Sequence, residues 1–179
     1  MQLKAFPRIS FHLSLKGDKD MDYKIIEKES FSVLGRTILT STKDGENQRQ
    51  ISRFWQESHK DGTVDKLVQI GAGQDLLGIC LSMDHAKERL TYMIGVRSGN
   101  EVQEAGYVQA VIPAATWAVF PSVGPMPGAI QKVWERIFQE WFPATGYEHA
   151  EGPELEVYPA GDAWSEDYRC EVWIPIVKK

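Results

Sequence analysis

The chain has 179 residues, 42% hydrophobic and 11% aromatic, enough for one domain with a real core, or two small fused modules, without disulfide staples. A formal net charge of -5 argues against a free-standing nucleic-acid binder, which needs Lys and Arg in excess over a surface. No apolar run approaches the roughly 20 residues of a membrane span, there is no signal-peptide pattern, and two cysteines are too few for a disulfide framework, so a cytoplasmic, reducing setting is expected.

In chain order, Ile9, Phe11, Leu13 and Leu15 alternate like a short strand, and the segment from Lys16 to Asp22 reads as a polar linker. Residues 1–20 therefore look like the trailing edge of something else. Ser30 to Leu39 is rich in the β-branched and aromatic residues that strands favour. A helical segment follows around Ile51-Ser-Arg-Phe-Trp-Gln-Glu. Gly71-Ala-Gly-Gln-Asp-Leu-Leu-Gly78 superficially suggests a phosphate loop, but it lacks the Lys-Ser/Thr ending and precedes a strand, so it reads as a turn. Leu77 to Asp84, Met93-Ile-Gly-Val and Thr116 to Ser122 are further strand candidates. The strongest helix is Ala129 to Phe142, where Ile130, Val133, Trp134, Ile137, Phe138, Trp141 and Phe142 recur at three- and four-residue spacing. Pro143 and Gly146 end it.

These segments repeat. Ile51-Ser-Arg-Phe-Trp lies over Ile130-Gln-Lys-Val-Trp, which matches Trp55 to Trp134. Leu77 to Asp84 lies over Leu155 to Asp162, and Met93-Ile-Gly-Val over Trp173-Ile-Pro-Ile. Each half reads strand, helix, strand, strand. One such unit has too little apolar area to stand alone, whereas two sharing a sheet bury both helices. The expected fold is α+β: duplicated β-α-β-β units forming a pseudo-twofold antiparallel sheet, with helices on one face and a ligand pocket on the other. The repeats span about 21–98 and 106–178 of a domain covering 21–179.

Two glutamates sit inside short strands of otherwise buried character, Glu156 in Gly152-Pro-Glu-Leu-Glu-Val-Tyr-Pro159 and Glu171 in Tyr168-Arg-Cys-Glu-Val-Trp-Ile-Pro-Ile176. A carboxylate there is costly unless it reaches water or a cation. Period-2 alternation puts Cys170, Val172, Ile174 and Ile176 under the helices, opposite Arg169, Glu171, Trp173 and Pro175. In the preceding strand Leu155 and Val157 are expected under the helices and Glu154, Glu156 and Tyr158 opposite, so both glutamates share the uncovered face. Their first-half equivalents there are Gly78, Cys80, Thr91, Met93 and Gly95, small or adaptable residues that leave room for an asymmetric pocket. On the same parity Cys80 and Cys170 lie on opposite faces. The plainer reading of Glu156 is a carboxylate on a solvated sheet face, and of Glu171 a pair with Arg169. Trp134 and Trp141 are assigned to the core, while Trp164, in the hairpin from Gly161 to Asp167, either lids the pocket or is exposed.

Other chemistries find little support. His12, His59, His85 and His149 lack metal-ligand spacing, so no metal and no cofactor are expected. Ser41, Ser58 and Ser122 have no glycine-flanked nucleophile elbow. No catalytic residue is assigned.

The opening Met21-Asp-Tyr-Lys-Ile-Ile-Glu-Lys, Tyr92-Met-Ile-Gly-Val, Glu156-Val-Tyr-Pro and Glu171-Val-Trp-Ile-Pro-Ile, in that order, resemble the GyrI-like effector-binding domain found behind the DNA-binding helices of AraC-type activators, in MerR-type multidrug sensors and as stand-alone proteins. Phe6-Pro-Arg-Ile-Ser-Phe and Lys16-Gly-Asp resemble the connector to an AraC-type helix-turn-helix pair, and the pair itself is absent here. The resemblance implies a pocket in which aromatic side chains surround an acid that neutralises lipophilic cations. That acid matches Glu156 of the Glu-x-Tyr motif, with Trp55, Tyr92, Tyr168 and Trp173 as aromatic walls, and Tyr158 of the same motif and Glu171 complete the candidate ligand-binding residues. Simple alternation puts Tyr168 under the helices, whereas the resemblance puts it at the pocket edge.

Three functions follow. The first is a small-molecule sensor, monomeric, selecting a cationic or amphipathic ligand by charge and by cation–π attraction of about 2 kcal/mol per desolvated contact, and reaching DNA only through a fused helix-turn-helix unit. The second, implied by stand-alone relatives, is a hydrolase of small electrophiles in which Glu156 works with Tyr92 or Tyr158. The third is a protein that interacts with gyrase or another partner.

Overall fold

Among the described residues, alternating β-branched and aromatic residues form nine strands, and two amphipathic regions form the helices that cover them. The computed structural model describes residues 21–99 and 103–179, so the connector expected at 1–20 lies outside it. The elements are β1 (Lys24–Lys28), β2 (Phe31–Ser41), α1 (Glu46–Lys60), α2 (Thr63–Gly71), β3 (Leu76–Asp84), β4 (Arg89–Arg97), β5 (Val108–Ile112), β6 (Ala115–Val123), α3 (Gly128–Arg136), β7 (Tyr147–His149), β8 (Glu154–Tyr158) and β9 (Arg169–Lys178). Helix α3 runs on through a π-helical turn, Ile137–Trp141, into a last turn, Phe142–Ala144. Ile137 and Trp141 are both buried in that turn.

Pairing is antiparallel in the order β1-β6-β9-β8-β3-β4-β2-β5, with β7 beside β9. The strand, helix, strand, strand pattern expected of each half is present as β2-α1-β3-β4 and β6-α3-β8-β9. Exchanging each strand for its repeat equivalent leaves the order β6-β9-β8-β3-β4-β2 unchanged when read from the other end. The local twofold therefore falls between β3 and β8. There Gly78 and Glu156, equivalent in the repeat, are direct cross-strand partners.

Sequence reading missed β1, β5, β7 and α2, and the first two reshape the sheet. Lys24 pairs with Val119, Lys28 with Ala115, Phe31 with Ile112 and Gly35 with Val108, one unbroken register across two pairs of segments. Only two residues separate β1 from β2, a reach of about 10 Å, although they lie toward opposite ends of the strand order. The sheet must therefore curl until its ends meet. The Gly35–Gly95 cross-strand pair helps, since a Cβ on Gly35 would lie 2.7 Å from the Gly95 Cα. The concave face holds a packed core of Val33, Leu77, Ile79, Met93, Ile112, Trp117, Val119, Leu155, Val157 and Trp173.

The helices occupy the convex face. Helix α3 packs through Ile130 and its continuation on Ala118, Phe120, Cys170, Val172, Ile174 and Ile176. Helices α1 and α2 pack through Phe54 and Leu67 on Tyr92, Ile94 and Val96. This bears out the expected helix face of β9 and corrects that of β8. Leu155 and Val157 belong to the concave core, so Glu154, Glu156 and Tyr158 point toward the helices, as do Gly78 and Cys80. The pocket expected on the helix-free face is filled by that core. Cys80 and Cys170, both free thiols, share the convex face instead of opposing each other. The error has one cause. Both faces of the curled sheet are buried, so apolar alternation gives the parity of a strand without its sign. Among the described residues no helix is long and apolar enough to cross a membrane.

Candidate functional site

Glu156 occupies the centre of the convex face, where the two helical layers meet over the local twofold. One carboxylate oxygen, Oε2, accepts from the hydroxyls of Tyr158 at 2.8 Å and Tyr92 at 3.0 Å. The other, Oε1, accepts from the indole N–H of Trp134 at 2.8 Å. The Trp55 indole N–H donates to the Tyr92 hydroxyl at 3.0 Å. Each donor comes from a different element: α1 gives Trp55, β4 gives Tyr92, α3 gives Trp134, and β8 supplies Tyr158 beside the acid itself. Trp55 packs edge-on against Tyr158, ring centroids 5.3 Å apart, which closes the ring of aromatics.

The repeat explains the arrangement. Trp55 and Trp134 occupy equivalent helix positions and direct equivalent indole N–H groups at the axis from opposite sides. Their targets differ because the first half has Gly78 where the second has Glu156. A Cβ on Gly78 would lie 2.7 Å from Glu156 Oε2 and closer still to the Tyr92 hydroxyl. Absence of a side chain at Gly78 is what lets the Tyr92 phenol reach under the carboxylate.

Burial raises the Glu156 pKa above the usual carboxylate range, and the neighbouring Glu154 charge adds to it. The hydrogen bonds from Trp134, Tyr158 and Tyr92 pull it part of the way back. The residue as a whole is partly exposed, while its carboxylate is enclosed by the aromatic side chains that donate to it. Burial, followed by the Glu156 charge, pushes Tyr92 and Tyr158 well above ordinary phenols. They stay protonated and serve as donors. Among the described residues no cationic side chain pairs with Glu156.

A second acid continues the site along β8. Glu154 faces the same way and meets His149 at 2.7 Å, and this contact raises the imidazole pKa. The His149 ring stacks on Phe138 at 6.4 Å, and Phe138 stacks on Trp134 at 6.2 Å. Phe138 is 48% exposed, so an aromatic wall leads outward from the Trp134–Glu156 contact.

Of the residues expected at the site, the structure brings together Glu156, Tyr92, Trp55 and Tyr158. Trp173 and Glu171 lie on the concave side and do not share the Glu156 face. There Trp173 packs edge-on against Trp117 at 6.0 Å, and its indole N–H donates to Glu171 Oε2 at 2.8 Å. Glu171 pairs with Lys24 at 3.1 Å instead of with Arg169. Tyr168 keeps the convex face that alternation gave it, but its hydroxyl donates to the Pro159 carbonyl at 2.9 Å and makes no bond to Glu156. Trp164 is 77% exposed, a surface residue of its hairpin. Sequence reasoning put Trp134 in the core and so missed it. The signal was its match to Trp55, already chosen as a wall. Two open depressions flank α1, one lined by Gln48, Arg49, Ser52, Arg53 and Gln56 and the other by Ile38, Leu39, Gln50, Arg53, Phe54 and Glu57. Neither includes the Glu156 cluster. The carboxylate is taken up by its own aromatic neighbours.

Substituting Glu171→Gln is a control set by this geometry. It removes the Lys24 ion pair, whose side chains are 58% and 32% exposed, keeps a carbonyl oxygen that can accept from Trp173, and is expected to cost no more than about 1 kcal/mol of stability. Ligand affinity measured on the variant should equal that of the unmodified protein.

Residues 24–176 match the family model described as Cass2, integron-associated effector binding protein. A protein of Erwinia billingiae (strain Eb661) described as a DNA gyrase inhibitor is 30% identical over 168 residues, covering 88% of this chain and 99% of its own. The structure of SAV2435 bound to tetraphenylphosphonium superposes with a TM-score of 0.79 at 25% identity, over 88% of this chain and 94% of that one. An integron cassette protein from the mobile metagenome of Vibrio cholerae shares the fold, with a TM-score of 0.65 at 15% identity over 87% and 95% of the two chains.

Proposed function

Because the chain belongs to the Cass2 family of integron-associated effector-binding proteins, a GyrI-like small-molecule-binding fold, we propose that Glu156 is its ligand-recognising acid and that the ligand is an amphipathic cation. One observation carries this reading: a crowded carboxylate held by three uncharged donors, with no cationic side chain among the described residues to neutralise it. Uncharged donors lessen the cost of burying the charge and leave the charge itself in place. A cation entering among Trp55, Trp134, Tyr92 and Tyr158 gains the carboxylate and the aromatic faces together. The tetraphenylphosphonium held by SAV2435 is a ligand of this kind, and the fold similarity supports placing such a cation here.

The cytoplasm is the setting that fits a small-molecule sensor with two free thiols. Action on DNA would run through a fused DNA-binding unit. The AraC-type assignment rests on the motif order and on the connector-like segment at 1–20, and the gyrase link on the description of the Erwinia relative.

Two site tryptophans supply the assay. Titration with tetraphenylphosphonium should change tryptophan emission saturably, and neutral triphenylphosphine oxide should bind at least about tenfold more weakly, since one desolvated charge contact is worth 1.4 kcal/mol or more. Equal affinity for the two would sink charge selection. Affinity for the cation should also rise with pH through the elevated Glu156 titration and then level off, because only the ionised carboxyl attracts it.

A further inference from the structure

The hydrogen bonds that hold Glu156 also limit which cations it can accept. A carboxylate offers about four lone-pair sites. Three are taken by Trp134, Tyr92 and Tyr158 at 2.8 to 3.0 Å, and the Tyr92 oxygen itself already accepts from Trp55. Building on the binding reading above, we propose that the site is specific for cations without N–H donors, such as quaternary or charge-delocalised ions, and discriminates against protonated primary amines. An entering ammonium brings three N–H donors, and each one left without an acceptor in a partly desolvated site carries a penalty of a buried unpaired polar group. A quaternary or delocalised cation needs no acceptor. It requires only negative potential and ring faces, which the largely occupied carboxylate and its aromatics still provide. The three donors thus act as a filter on the outer surface of the charge, and Tyr158, the partly buried donor from the acid's own strand, sets how strict that filter is.

The test uses two ligands of one skeleton, 4-phenylbenzyl-trimethylammonium and protonated 4-phenylbenzylamine, each competing against tetraphenylphosphonium at neutral pH. The unmodified protein should prefer the trimethylammonium by about tenfold or more. The methyl groups contribute some of that preference by burial alone, so the decisive readout is its change in Tyr158→Phe. This variant keeps the ring, frees one carboxylate lone pair, and leaves the methyl contribution untouched. The preference should shrink several-fold, mainly through tighter binding of the primary ammonium. An unchanged ratio in Tyr158→Phe, or a primary ammonium that binds the unmodified protein as well as the quaternary ion, would overturn the filter while leaving cation binding intact. Failure of tetraphenylphosphonium itself to bind would overturn both the filter and the reading it rests on.

Discussion

Tetraphenylphosphonium affinity is expected to fall on the order of 100-fold in Glu156→Gln, the loss of roughly 2 to 3 kcal/mol that accompanies removal of one partner from a desolvated charge contact. The isostere keeps the side chain's size and one carbonyl acceptor, which can serve Tyr92 and Tyr158, while its NH2 group cannot accept from the Trp134 indole. The charge and that one hydrogen bond disappear. The same variant should be more resistant to heat at neutral pH, and the sign follows from linkage. Glu156 has a folded-state pKa raised above its unfolded value, so the folded protein holds that proton more tightly. Its contribution to stability is then fully present below the ordinary carboxylate pKa and is lost as pH rises through the elevated folded value. At neutral pH the charge is a burden that glutamine does not carry. Below the ordinary carboxylate range the two proteins should melt alike. Thermal melts across pH 3 to 8 (a window spanning roughly the range of carboxyl titration) test this directly. A glutamine variant that binds the cation normally would remove Glu156 from the site, whatever the melts show. The exchange of stability for a ligand-ready charge is a common mark of binding sites.

Gly78→Ala should have the next largest effect on binding, although it replaces none of the side chains proposed to contact the ligand. The added methyl would sit 2.7 Å from Glu156 Oε2 and nearer still to the Tyr92 hydroxyl, so the phenol must move and the carboxylate loses a donor or shifts outward. Overpacking of this kind typically costs about 1 to 3 kcal/mol of stability, and displacement of the acid should weaken tetraphenylphosphonium binding by roughly tenfold or more. Combining Gly78→Ala with Tyr92→Phe separates the causes, because removing the hydroxyl removes its contact with the new methyl. Recovered stability with binding still weak would show that the Tyr92 hydrogen bond, and not the fold, was the loss. If Gly78→Ala alone neither destabilises nor weakens binding, the close packing at the axis has no functional weight.

Local pattern made much of this protein legible in the sequence. The three- and four-residue apolar spacing from Ile130 to Trp141 specified the α3 helix region, and the repeat of Trp55 on Trp134 and of Gly78 on Glu156 specified a duplicated α+β sheet. These are short-range signals, written in side-chain period and residue type. Of the candidate residues, Glu156, Tyr92, Trp55 and Tyr158 are gathered into one hydrogen-bonded cluster, whereas Tyr168 and Trp173, which the resemblance also singled out, bond elsewhere. What the sequence lacked was the direction in which β8 faces. Leu155 and Val157 are as apolar as a helix-covered face requires, but β1 and β5 curl the sheet and make its concave side equally dry, so only pairing with β3 and β9 decides that Glu156 looks toward the helices. Pairing also parted Glu171 from Glu156 and gave it Lys24 and Trp173 instead. The residues and their period were fixed along the chain. Which of them share a face depended on strand register and sheet closure, long-range contacts that place Gly78 opposite Glu156 and bring two distant tryptophans to the same carboxylate.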